Sequence, residues 1–148
     1  MQSLPKASQV SADLRTRLAE IQQVNGYYTN LKRVYGPLET PDDKAPKPYA
    51  LVRPGPDVRT STAAYQATRV RSFEIEVVFA KGSTTEADMD GVHIDILRAL
   101  GVGQDLPERK FPGLLDDEDE ATPTYASSGT LTHSITITIG VTYVATYN

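Results

Sequence analysis

Thr130-Leu131-Thr132-His133-Ser134-Ile135-Thr136-Ile137-Thr138-Ile139-Gly140-Val141-Thr142-Tyr143 decides the fold class. Leu131, His133, Ile135, Ile137, Ile139, Val141 and Tyr143 fall on one side. Thr130, Thr132, Ser134, Thr136, Thr138 and Thr142 fall on the other. Successive side chains of a strand point to opposite faces, so this alternation predicts one buried and one wet face. A second stretch, Arg69 to Phe79, repeats the pattern with Phe73, Ile75, Val77 and Phe79.

Between these two strands the period changes. Ser83-Thr84-Thr85-Glu86 has capping-box spacing, in which Ser83 and Glu86 satisfy each other's free backbone donors. Met89, Val92, Ile96 and Leu100, with Leu97 adjacent, recur at helical spacing up to a stop at Gly101. An earlier helix is predicted from Ser11 to Val24, with Ser11 as N-cap and Leu14, Leu18, Ile21 and Val24 as its stripe. Asn25-Gly26 reads as its C-terminal cap. The first ten residues read as polar and loose. Short strands are predicted at Arg33–Tyr35 and Tyr49–Arg53, the latter bounded by Pro48 and Pro54. Connections are expected over 41–48 and 54–64, and one long acidic loop over 106–125. The expected architecture is a single α+β domain over residues 1–148, with a mostly antiparallel sheet, two long strands and both helices on one face.

Composition removes whole classes of chemistry. The 148 residues include no cysteine, which excludes disulfides, thiolate metal sites and cysteine nucleophiles. The net charge of −4 argues against direct binding to duplex DNA, which rests on cationic contacts to phosphate. No apolar run approaches the roughly 18 residues that span a bilayer. The N-terminus lacks the charged-then-apolar pattern of a signal peptide, so the expected place of synthesis and residence is the cytoplasm. No Gly-x-Ser-x-Gly elbow, P-loop or dinucleotide fingerprint is present.

The remaining candidate residues are sparse. Asp116-Asp117-Glu118-Asp119-Glu120 reads as a solvated loop, as a surface that repels DNA or meets a basic partner, or as a calcium site without EF-hand spacing. His93 and His133 are the only histidines and read as packed or rim residues. His93 and Asp95 lie two apart, so they do not share a helix face. Glu74 and Glu76, flanked by Ser72, read as a polar strand face. Arg69 and Arg71 lie where the apolar face leaves the core and meets either solvent or a partner. Eight tyrosines, Tyr143 and Tyr147 among them, suit partly wet contact surfaces. Catalytic, cofactor and metal residues are therefore expected to be absent.

One length argument points beyond the protomer. Residues 130–143, fully extended, would span roughly 45 Å at about 3.3 Å per residue. A domain of this size is roughly 40 Å across. Either Gly140 bends the strand, or its end pairs with or packs against a neighbouring subunit.

Several blocks together resemble the tail terminator (tail completion) proteins of long-tailed bacteriophages, the lambda-like minor tail protein group. They are Asn25-Gly26-Tyr27-Tyr28-Thr29-Asn30-Leu31 after the first helix, Pro46-Lys47-Pro48-Tyr49-Ala50-Leu51-Val52, Arg71-Ser72-Phe73-Glu74-Ile75-Glu76-Val77, Asp95-Ile96-Leu97-Arg98-Ala99-Leu100, and the close through Val141-Thr142-Tyr143. The resemblance runs from about Leu14 to Tyr143. It implies a non-enzymatic virion protein at the head-proximal end of the tail, assembled in the host cytoplasm. Its partners would be itself (a ring, hexameric), the tail tube protein and the head–tail connector. Double-stranded DNA would pass through the lumen without specific binding. The interface or lumen residues would be drawn from Arg69, Arg71, Asp116, Asp117, Glu118, Asp119, Glu120 and Tyr143. A head–tail joining protein or tail-tube subunit is the alternative within phage morphogenesis. A small ligand-binding or hydrolytic α+β enzyme, resting on Glu74, Glu76, His93 and Asp95, is the alternative outside it.

Overall fold

The computed structural model describes residues 4–103 and 107–147. The chain is α+β; the described residues form two α-helices and a five-stranded mixed sheet in the order β1-β2-β3-β5-β4. Helix α1 is Lys6–Leu18 and helix α2 is Glu86–Ala99. The strands are β1 Val34–Tyr35, β2 Tyr49–Ala63, β3 Gln66–Ala80, β4 Leu114–Thr124 and β5 Thr132–Thr146. β1 runs parallel to β2, and the β2–β3, β3–β5 and β5–β4 pairings are antiparallel.

The alternation in β3 and β5 builds the core. Phe73, Ile75, Val77 and Phe79 of β3 lie on the same face as Ile135, Ile137, Ile139 and Val141 of β5. Val10, Leu14, Leu18 and Ile21 from the α1 segment, and Met89, Val92, Ile96 and Ala99 of α2, pack on that face in one cluster. Among the described residues the opposite face holds a small buried cluster of Tyr35, Tyr49, Leu51 and Val78. Burying each large apolar side chain contributes about 1.5–3 kcal/mol, so the helix-covered face dominates the folding energy.

The helices differ from their expected bounds for identifiable reasons. α1 starts at Lys6 behind Pro5, whose φ of −54° suits the first turn. Ser11 is therefore interior and buried, where its hydroxyl accepts from Arg15 at 2.9 Å. The helix closes at Leu18, and Val24 is 91% exposed. Gly26 adopts the left-handed conformation expected of it, but it ends a short 3₁₀ turn over Gln23–Asn25. The α2 capping box exists two residues later than expected, between Thr85 and Asp88. Arg17 of α1 donates to the carbonyls of Ala99 and Arg109, at 2.9 and 2.7 Å, and so satisfies an acceptor at the end of α2.

Two expected loops are strands. β2 continues through Pro54 and Pro56 to Ala63, because β1 covers only Ala50 and Leu51. Beyond them β2 has a free flank, where a missing N–H costs no ladder bond. The expected acidic loop contains β4, which starts where the glycine backbone at Gly113 (φ 82°) lets its carbonyl accept from Thr142 N–H at 2.8 Å. A side chain at Gly113 would collide with the Thr142 carbonyl. Leu106, the expected start of that loop, lies outside the described residues.

Candidate functional site

The sheet outruns its own core. No residue of β2 beyond Val52, nor of β3 before Phe73, belongs to the main core cluster, although Tyr143 of β5, opposite Arg69, does and Ala67 is buried. The β2–β3 hairpin and the end of β5 instead form a three-stranded arm that turns at Ala64-Tyr65. Gln66 to Ser72 of β3 span roughly 23 Å at about 3.3 Å per residue, and the base of this stretch is covered where Val141 and Tyr143 join the core opposite Arg71 and Arg69. At Gly140 the β3–β5 ladder has no bulge: the register runs without a shift from Ala80↔Thr132 to Gln66↔Thr146.

The outer side of the arm is apolar and β-branched. Val70 lies between Val58 and Thr142, with Thr68 beside Val144. Val58 is 57% exposed and Val144 is 47% exposed. Tyr65 at the tip is also exposed, and so is Tyr147, whose ring turns to the inner side where its hydroxyl accepts from Arg69. Such residues gain when covered by another surface.

The inner side of the arm base carries a charged network. The β3–β5 register places Arg69 opposite Tyr143, and the β2–β3 register places Asp57 opposite Arg71. Arg69 Nε donates to Asp57 Oδ1 at 2.6 Å, and Arg69 also donates to the Asp57 carbonyl at 3.2 Å and the Tyr147 hydroxyl at 3.3 Å. The Tyr143 hydroxyl donates to the other oxygen of Asp57. Burial alone would raise the Asp57 pKa, but the hydrogen bonds from Tyr143 and Arg69 outweigh it and hold the carboxyl below its ordinary value. Burial, followed by donation to Asp57, pushes the Tyr143 phenol up. The structure thus brings together Arg69, Arg71 and Tyr143, three residues singled out by sequence, around Asp57, which was not. Counting back from a turn at Ala64-Tyr65 is the signal that would have found Asp57.

Arg71 behaves differently from Arg69. Its guanidinium carbon lies 5.7 Å from the Phe73 ring centre, and its Nε is buried without a hydrogen-bond partner among the described residues. It lines a cleft of about 340 Å³ with Ser8, Ser11, Arg15, Pro54 and the Gly36–Glu39 turn. Glu39 in this cleft is already engaged by the Gly36 N–H at 2.9 Å and Arg33 at 2.8 Å.

The acidic run is not in a loop. Its backbone belongs to edge strand β4, across a register shift that places three extra residues between Leu115↔Gly140 and Glu120↔Thr138. Glu120 is exposed. The side chains of Asp116, Asp117, Glu118 and Asp119 lie outside the described residues.

The residues of the enzyme alternative do not converge. Asp95 is fully buried and accepts the backbone N–H groups of Tyr28 and Thr29 at 2.9 and 2.8 Å, so it clamps that turn to α2. His133 Nδ1 accepts the Ala126 N–H at 2.8 Å. His93 Nε2 is buried without a partner among the described residues. Glu76 pairs with Arg53 at 3.1 Å on the sheet face away from the helices. Among the described residues no group of three metal-ligating side chains occurs, and no helix is long and apolar enough to cross a membrane.

Both free strand flanks carry obstacles to backbone pairing with another chain. β2 has Pro54, Pro56 and two register shifts, and β4 has Pro123 and one large shift. Contact through side chains is left as the cheaper mode of association. No protein-family model matches the chain, and no curated protein is similar to it at a significant level.

Proposed function

We propose that this protein is a structural virion component whose copies close into a ring on the end of a long-tailed bacteriophage tail tube. The ring, a hexamer on the reading from resemblance, ends tube polymerisation and offers the head–tail connector a docking surface, with double-stranded DNA passing through its lumen. The observation that carries this reading is the three-stranded arm. It leaves its own core with Val58, Val144, Tyr65 and Tyr147 uncovered, as a part built to lie on a neighbour would. A ring also requires two different patches on each protomer, and the two unlike sheet edges, acidic β4 on one side and β1 with the free flank of β2 on the other, are two such patches.

Blocking further stacking is a matter of shape and calls for no convergent catalytic groups, and none converge among the described residues. Electron microscopy of the pure protein, alone and mixed with the tail tube protein, tests it. Single rings, and tubes capped at one end, are the expected result. Long tubes from the pure protein would move it to the tail-tube class. A monomer that never engages the tube would refute the proposal.

A further inference from the structure

The distribution of charge carries an inference that rests on the ring reading and specifies its contact. The five carboxylates of the 116–120 run account for all of the chain's net negative charge: without them, 15 basic residues face 14 acidic ones. Their strand, β4, forms one edge of the sheet, while β1 and the free flank of β2 form the other. The cleft lined by Arg15, Arg71 and Pro54 lies on that second side.

The carboxylates in and beside the cleft act on Arg15 (Glu39) and Arg71 (Asp57) through space, but their hydrogen bonds go elsewhere. Asp57 is occupied by Arg69 and Tyr143, and Glu39 by Arg33 and the Gly36 N–H. Arg15 donates to the Ser11 hydroxyl, and neither Arg15 nor Arg71 forms an ion pair within 4 Å among the described residues. Arg15 and Arg71 both line the cleft, and an incoming carboxylate would pair with the guanidinium groups that face it.

We propose that the arginine cleft beside α1 receives the acidic 116–120 run of a second copy, so that one copy's β4 edge docks on the next copy's β1–β2 side. The contact is heterologous, edge to opposite edge, which is the form that closes into rings. It uses side chains and therefore works despite the prolines and register shifts on both flanks. The contact weakens as salt rises, because partly exposed charges are screened over about 8–10 Å at physiological ionic strength.

Two measurements test this. In the first, a synthetic peptide of residues 114–124 is titrated into the full chain by calorimetry. Saturable binding is expected, with at least a tenfold loss for Arg15→Ala and for Arg71→Ala, and for a peptide carrying serine at 116–120. Circular dichroism checks that each variant is folded, and Arg15, on the helix surface, serves if Arg71→Ala is not. In the second, charge reversal is read by sedimentation and electron microscopy on the tube. Arg15→Glu with Arg71→Glu should abolish rings, lysines at 116–120 should do the same, and the two sets combined in one chain should restore them. Rings that persist in both reversed variants, with no peptide binding, overturn the cleft contact and leave the ring reading in place. Peptide binding in a protein that never forms rings overturns the ring reading and keeps the cleft. Inorganic phosphate or citrate that binds as tightly as the peptide makes the cleft a small-anion site and overturns the proposal.

Discussion

Removing the Asp95 carboxylate should loosen the fold and leave any binding surface on the arm intact. Asp95 is 0% exposed and holds two backbone N–H groups, at 2.9 and 2.8 Å, in the turn that follows the first helical segment. Hydrogen bonds to a charged group contribute about 1.5–3 kcal/mol each, and a buried donor left unsatisfied costs about 1–3 kcal/mol. Thr29 is buried, whereas Tyr28 is exposed and its N–H can regain water more easily. The loss for Asp95→Ala is therefore about 3 kcal/mol rather than the full sum of two. For a chain of this size that corresponds to a fall in Tm of roughly 6–12 °C. Asp95→Asn keeps the shape but turns an NH₂ toward one of the two donors, and should lose about 2 kcal/mol. Urea denaturation followed by circular dichroism measures the difference, and hydrogen exchange should show the Tyr28 and Thr29 amides losing protection first. An Asp95→Ala protein that melts within about 1 °C of the parent would refute the reasoning. So would an Asp95→Asn protein that folds normally but fails in virion assembly, because that pattern belongs to a chemical role for the carboxylate.

Two further outcomes follow from the arm. The Asp57 carboxyl is held below its ordinary value near 3.8, so its contribution to stability is present above that pH and is lost as pH falls through the lowered value. The Tyr143 phenol is raised above 10.0, so its contribution holds below that pH and fades as pH rises through the raised value. Denaturant titrations across pH should show both losses, and Tyr143→Phe should remove the alkaline one while leaving the parent fold. On the outer side of the arm, Val58→Asp combined with Val144→Asp should change stability by about 0.5 kcal/mol or less per site, because both residues are exposed. The same variant should stop ring formation in electron micrographs, and rings of normal appearance would count against the arm as a contact.

The legible parts of the sequence were those where one physical signal acted alone. In β3 the period of two meets no opposing signal, in β5 it is strong enough to carry through Gly140, and in α2 the stripe from Met89 to Leu100 is uninterrupted. β2 was cut short because Pro54 and Pro56 argue against a central strand, and only the two-residue length of β1 reveals that this flank is free. β4 was hidden because five like charges read as solvated loop, a signal that ignores what an edge strand can tolerate. The α1 boundary slipped because Ser11 looks like a cap, although Pro5 begins the helix and Ser11 faces Arg15. The Asp57 network joins residues up to 86 positions apart, and no local pattern encodes such pairings. Arg69 and Arg71 could be flagged as leaving the core. Which one is neutralised and which faces an open cleft depends on packing against α1.

The unbroken ladder between β3 and β5 has a mechanical consequence. From the tip to the helix-covered centre, the middle strand offers no glycine hinge and no slipped register on that side. A push at Tyr65 would therefore not be absorbed by local bending. It would travel as a small rigid tilt into Phe73 and Ile137, beneath both helices. Whatever seats itself on the arm also gains a lever on the far end of the molecule.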